Sequence, residues 1–221
     1  MKVCTSNKNG AKRIMAAKRY FDRAYEVQNK RETRALYEDW AEVYDQELEE
    51  KQYAQPGRCA EVLREMLPDG EARILDVACG TGLSGRALRA HGYAHVEGCD
   101  YSPEMLEKAK LSKAYDALFE TDLNEPPMDA VDESYDAVTA VGAFSFAHVD
   151  PDALEEMIRV LKPGGPLIIG INEKYHDEGR VSAKLESLEA QGKLEVIKKE
   201  KGAHLPGADV DGWVIAARKA A

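Results

Sequence analysis

The residues best suited to chemistry are gathered in Ile74-Leu75-Asp76-Val77-Ala78-Cys79-Gly80-Thr81-Gly82-Leu83-Ser84-Gly85. An apolar run carrying one carboxylate leads into a glycine turn, and a helix-like stretch follows. Such a turn lets a ligand approach the main chain and sets the partial positive charge of a helix start beside it. Gly80, Gly82 and Gly85 satisfy the G-x-G-x-x-G spacing, so the turn alone is compatible with a nicotinamide dinucleotide.

Two carboxylates narrow the choice. Asp76, four residues before Gly80, would face a pyrophosphate with like charge, whereas it suits the ammonium and sulfonium of S-adenosylmethionine. A solvated aspartate at a strand end is the alternative. Asp100, 18 residues after Gly82, stands where a carboxylate can accept both hydroxyls of an adenosine ribose. Beside it, Tyr101 either covers the adenine or simply packs. Asp122 either accepts from the adenine amino group or caps a helix. His148, in the segment leaving the fourth predicted strand, is the best-placed general base, or it only ends the loop before Val149-Asp150-Pro151.

These residues need elements to hold them. Strands are expected at 73–78, 95–99, 117–120, 135–141 and 166–171. Helices are expected at 58–67, 83–91, from Ser102-Pro103 onward with Ser as cap, and at 151–161. This alternation implies right-handed crossovers and a mainly parallel sheet covered on both faces. A helix at 181–190 and strand candidates at 193–200 and 212–218 would add a terminal hairpin-like pair. Before all of these lie two charged helices, 11–27 and 31–51. Tyr37, Trp40, Ala41 and Tyr44 share one face of the second, which makes either core or a lid whose Tyr37 and Tyr44 hydroxyls reach a bound cofactor.

Composition bounds the function. A chain of 221 residues, 44% hydrophobic and 32% charged, suits one soluble domain, with 1–57 as a helical extension and 58–221 as the α/β unit. The net charge of −10 disfavours DNA and other polyanions as partners and leaves neutral or cationic small molecules. Cys4, Cys59, Cys79 and Cys99 show neither metal-ligand nor disulfide spacing, so no metal is expected, and two of the four should pack as small apolar residues at strand ends. No stretch is long and apolar enough for a membrane helix, and the basic run before Phe21 fits a solvated helix or an organellar transit segment. A cytoplasmic setting is the default expectation, and the sequence leaves the oligomeric state open.

Four segments, in order, resemble the motifs of class I S-adenosylmethionine-dependent methyltransferases: Asp76-Val77-Ala78-Cys79-Gly80-Thr81-Gly82, Asp100-Tyr101-Ser102-Pro103-Glu104-Met105-Leu106, Tyr135-Asp136-Ala137-Val138 and Leu161-Lys162-Pro163-Gly164-Gly165. The resemblance runs from about Leu36 to Arg218. Within it, residues 37–45 are similar to the methyltransferase-like proteins named for the Williams-Beuren syndrome chromosome region. The resemblance implies a Rossmann-like seven-stranded sheet with its last strand antiparallel, helices on both faces and an N-terminal helical lid. It also implies S-adenosyl-L-methionine as cofactor. By position, Gly80 and Gly82 would line the methionine moiety, Asp76 orient it, Asp100 hold the ribose, and Asp122 with Leu123 meet the adenine. Ala78, Met105, Val141 and Gly142, with Tyr37, Trp40 and Tyr44 from the lid, complete the implied cofactor contacts. The N/D-P-P-Y/F/W signature of enzymes that methylate exocyclic amines of bases is replaced by Val141-Gly142-Ala143-Phe144. The expectation is therefore methyl transfer to a small molecule, with a protein or RNA acceptor, or cofactor binding without catalysis, as alternatives.

Overall fold

The computed structural model describes residues 45–145 and 149–221. The expected helix at 11–27, most of the one at 31–51, the lid residues Tyr37, Trp40 and Tyr44, and the candidate base His148 lie outside the described residues.

Seven strands form one sheet in the order β3-β2-β1-β4-β5-β7-β6. These are β1 (Arg73–Val77), β2 (His95–Asp100), β3 (Ala117–Glu120), β4 (Ala137–Val141), β5 (Pro166–Asn172), β6 (Leu194–Leu205) and β7 (Val210–Lys219). The first five pair in parallel, while β7 runs antiparallel to both β5 and β6. The chain builds outward from β1 through β2 to β3, then returns to place β4 on the other side of β1. That reversal puts a topological switch point between β1 and β4, and a ligand crevice beyond their carboxyl ends.

Burial follows from the pleat. Along β1, Leu75 and Val77 join one core with Val138, Ile169 and Ile215, while Ile74 joins the other with Val96, Ala137 and Ile168. Asp76 shares Ile74's face, because alternate residues of a strand point the same way. The Ile74 face is covered by α1 (Gln55–Met66) and α2 (Leu83–Ala90), which contribute Cys59, Val62, Leu63 and Leu88. The opposite face is covered by α4 (Leu154–Val160), the single turn α5 (Glu173–His176) and α6 (Arg180–Ala190). Between β2 and β3 runs α3 (Pro103–Ser112), capped as expected by Ser102, whose Oγ accepts the Met105 N–H at 3.3 Å.

Several boundaries differ from expectation for local reasons. α1 begins at Gln55, with Pro56 in its first turn, three residues before the expected start. Tyr135 stands outside β4 and makes an isolated bridge to Leu161. The expected 151–161 helix opens with a 3-10 turn at Pro151–Ala153. β6 extends to Leu205 and carries two irregularities, between Val196 and Lys198 and between Ala203 and Leu205. Cys79 and Cys99 are buried free thiols beside the ends of β1 and β2.

Candidate cofactor site

The loop after β1 is a succession of left-handed residues, Ala78 at φ 53°, Gly80 at 54° and Gly82 at 95°. A non-glycine residue in this region costs roughly 1–2 kcal/mol, so the fold holds Ala78 there against its preference. Cys79 N–H donates to the Cys99 carbonyl at 2.9 Å, which pins the turn to the end of β2. The glycines do different jobs. A Cβ on Gly80 would meet no atom within 4 Å, so its main chain borders open space. A Cβ on Gly82 would lie 2.9 Å from Ser112 Oγ, and one on Gly85 2.3 Å from the Tyr115 ring. Among the described residues, Gly80 is therefore open on its Cβ side, whereas on that side Gly82 and Gly85 let the loop pack against what lies beneath it.

Beneath it lies Asp76, fully buried. In register, Asp76 stands between Gly98 of β2 and Thr139 of β4. The missing side chain at Gly98 leaves room for the Tyr115 ring, since a Cβ there would come within 2.9 Å of it. Three hydroxyls converge on the carboxylate: Tyr115 Oη at 2.7 Å, Thr139 Oγ1 at 2.8 Å, and Ser84 Oγ from the first turn of α2. Burial pushes the Asp76 carboxyl up to about 6, against the pull of these hydroxyls. Asp76 is thus a hub tying four segments together under the crevice.

Asp100 performs the matching task at the end of β2. It is 8% exposed, and its Oδ2 accepts the Gly80 N–H at 2.9 Å while Oδ1 accepts the Ser102 N–H at 3.0 Å. Burial raises its pKa as well. Each carboxylate oxygen has a second lone pair, so these bonds leave capacity for ribose hydroxyls. Met105 and Leu123 are buried nearby in the chain order of the site, Leu123 in the large core cluster. Asp122 Oδ1 accepts the Asn124 N–H at 2.8 Å in a turn with no helix after it, which removes the helix-cap alternative. Gly142, at φ 75°, follows β4 and hydrogen-bonds through its N–H to the Gly170 carbonyl at 2.8 Å. Val141, just before it, is half-buried.

The described end of the N-terminal segment, helical over 45–50, meets the glycine loop through Asp45. Its carboxylate accepts the hydroxyl of Thr81, which lies between Gly80 and Gly82, and pairs with Arg86 of α2 at 3.2 Å. Ser84, Tyr115, Thr139 and Asp45 were not singled out from sequence as site residues. Thr139 carried a signal, as the lone polar residue in Ala137-Val138-Thr139-Ala140-Val141, because a buried hydroxyl needs a partner.

The donors of the loop decide between ligands. Gly80 N–H serves Asp100, Gly82 N–H serves the Cys79 carbonyl, and Gly85 N–H serves Tyr115 Oη at 3.1 Å. The three glycine amides are spent inside the protein, and two buried carboxylates stand beside them. This surrounding suits a cation and disfavours a phosphate. A doubly wound sheet with a reversed last strand, a glycine turn at its switch point and carboxylates on its first two strands is the arrangement that the resemblance to class I S-adenosylmethionine-dependent methyltransferases implies.

Comparison with known proteins agrees. Residues 74–165 match the family described as a methyltransferase domain. The chain is 40% identical over 132 residues to human Methyltransferase-like protein 27, covering 59% of this chain and 54% of that protein. It is 43% identical over 111 residues to demethylmenaquinone methyltransferase of Clavibacter sepedonicus, covering 48% and 43% respectively. The chain thus spans about half the length of the curated relatives it matches. A chain from the complex of the Haloferax volcanii Trm112 methyltransferase activator with a methyltransferase superposes with a TM-score of 0.63 at 23% identity, over 84% of this chain and 98% of that one. That likeness shows the fold. Residues 74–165 thus carry a methyltransferase domain, of the kind that uses S-adenosyl-L-methionine as cofactor.

Proposed function

We propose that this protein transfers the methyl group of S-adenosylmethionine to a small molecule by in-line displacement. The observation that carries the reading is the pairing of internally spent glycine amides with the buried carboxylates Asp76 and Asp100. Gly80 and Gly82 line the methionine moiety, with Ala78 between them and β1. Asp100 receives the ribose hydroxyls, and Tyr101, Met105, Asp122 and Leu123 surround the adenine. Val141 and Gly142 border the reacting end. Asp76 acts through its charge and through the loop it organises, because it is enclosed by its hydroxyl donors. Tyr37, Trp40 and Tyr44 are expected from the sequence to close over the cofactor and His148 to act as proton acceptor, all four outside the described residues.

The sulfonium is already an activated leaving group, so holding donor and acceptor in contact supplies most of the catalysis, and closure excludes water. A small acceptor fits the net charge of −10 better than a nucleic acid does. Calorimetry tests the cofactor: S-adenosylmethionine should bind with micromolar affinity, NADH should not, and Asp100→Ala should weaken binding at least about tenfold, the loss of one charged hydrogen-bond pair. Unchanged binding in Asp100→Ala would remove the assignment. Release of S-adenosylhomocysteine across a panel of metabolites then tests the acceptor class.

A further inference from the structure

At the far end of β6 the sheet changes register. Ala203 pairs with Asp211 and Leu205 with Val210, so His204 is the extra residue of a β-bulge. Bulges bend a strand and re-aim what it carries. Here the bulge turns the His204 side chain inward, where it is 6% exposed and its Nδ1 lies 3.2 Å from Gln55 Oε1. The His204 carbonyl accepts the Ala54 N–H at 3.0 Å. Beyond it the 3-10 turn Pro206–Ala208 leads into β7, and the Gly207 N–H donates to the Lys51 carbonyl, also at 3.0 Å. The tip of the β6–β7 hairpin thus grips the chain just before α1 by two main-chain bonds.

Side chains reinforce the grip. Gln55 Nε2 donates to the Trp213 carbonyl at 2.6 Å, and Arg58 to the carbonyls of Ala203 and Gly212 at 3.2 and 3.3 Å. The Tyr53 ring meets His204 edge-on, with centroids 5.1 Å apart. Gly207 is exposed, and the atoms nearest to a Cβ there are Lys51 Cα at 2.9 Å and the Glu50 carbonyl oxygen at 3.1 Å. A side chain at 207 would therefore press first on the gripped segment. That segment reaches the crevice at two points. Residues 45–50 are helical, and Gln52, left-handed at φ 58°, ends the helix while the Tyr53 N–H returns to the Leu48 carbonyl at 3.0 Å. Asp45 accepts from Thr81 in the glycine loop after β1. The Tyr53 hydroxyl lies 3.0 Å from the point a Cβ on Gly142 would occupy, in the turn after β4. The crevice opens between these two strands, so residues 45–54 run from one of its walls to the other.

We propose that residues 45–54 form a strap across the crevice that must detach before the cofactor can exchange, with Asp45 and Gly207 as positioning residues that hold its two ends. The inference rests on the cofactor lying in that crevice. It goes further by giving the hairpin at the border of the sheet a part in retaining the cofactor. A segment fastened at both ends closes more readily than either contact alone would, because each contact shortens the search for the other. Loosening one end must therefore be felt at the other.

Amide hydrogen exchange, followed by nuclear magnetic resonance on the full chain, tests that linkage. Saturation with S-adenosylhomocysteine should slow exchange at the Ala54 and Gly207 amides, and Asp45→Ala, a change at the glycine loop, should speed it again several-fold. In the converse direction, Gly207→Val should speed release of S-adenosylhomocysteine several-fold in stopped-flow displacement. Exchange at Ala54 and Gly207 that ignores the ligand, exchange unmoved by Asp45→Ala, or release from Gly207→Val at the parent rate would each overturn the proposal. The first of these is read on the unsubstituted chain, so it decides even if a variant fails to fold. Calorimetry on the same chain separates the two levels: absence of S-adenosylhomocysteine binding sinks the placement of the cofactor and the strap with it, whereas normal binding with unlinked ends sinks only the strap.

Discussion

The Tyr115 hydroxyl donates to Asp76 at 2.7 Å while accepting the N–H of Gly85 at 3.1 Å, so one phenol links the end of β1 to the first turn of α2. The same ring fills the space left by Gly85 and Gly98. Removing only the oxygen, in Tyr115→Phe, leaves the packing intact but orphans the Gly85 amide and takes one donor from a buried carboxylate. Such orphaned groups cost about 1–3 kcal/mol each. Urea denaturation should therefore show a loss of about 2–4 kcal/mol on that basis, with weaker binding of S-adenosylhomocysteine. A variant as stable as the parent would show that the contact does not organise the loop.

Gly80 and Gly85 should respond in opposite ways to the same change. Alanine at 85 forces its Cβ into the Tyr115 ring, 2.3 Å away, and should cost about 1–3 kcal/mol as overpacking does. Alanine at 80 meets open space and adds only the left-handed strain, roughly 1 kcal/mol, yet it intrudes where the ligand main-chain contact lies. Parallel thermal unfolding and cofactor titrations should separate a stability defect at 85 from a binding defect at 80.

The Asp76 carboxyl titrates near 6 in the fold, above its ordinary value of 3.8. Its charged form is the one the fold disfavours, so its contribution to stability is fully present below the unfolded pKa and is lost as pH rises through about 6. A bound cation reverses the preference. Affinity for S-adenosylmethionine should fall as pH drops below 6, by up to about tenfold per unit for a single linked proton, with proton release on binding near pH 5.5. Calorimetry in buffers of different ionisation enthalpy reads that proton directly, and Asp76→Asn should abolish it.

Asp45 holds Thr81 and Arg86 from outside the loop. The ion pair is nearly half exposed on both sides and is worth little, about 0–1 kcal/mol, whereas the Thr81 contact reaches a buried hydroxyl between the two open-turn glycines. Asp45→Ala should speed cofactor dissociation several-fold in stopped-flow displacement, and Arg86→Gln should change it less than about twofold. Equal effects would assign the coupling to charge rather than to the loop.

The parts legible in the sequence are those whose partners are close along the chain or whose pattern repeats. The buried run at 74–77, the glycine turn and the Ser102 cap each declare themselves within a few residues, and four strand–helix alternations fix the parallel sheet. Tyr115 does not, because it reaches Asp76 across 39 residues through β2, and only the strand register shows that Gly98 clears its path. Nor does the bulge at His204, since an inserted residue leaves the polar alternation of β6 readable as an ordinary strand that stops early. Asp76 was recognised as important from its place before the turn, but its enclosure by Ser84, Tyr115 and Thr139 depends on three elements meeting. Tertiary contacts of this kind are absent from local propensity.

β6 also forms one border of the sheet. A strand of twelve residues with a free hydrogen-bonding edge would ordinarily invite another chain to pair with it. This one is interrupted twice and presents Lys199 and Lys201 outward, so it offers no straight, neutral stretch for a stranger to zip onto. The same kink that aims His204 inward thereby guards the molecule's flank against self-aggregation.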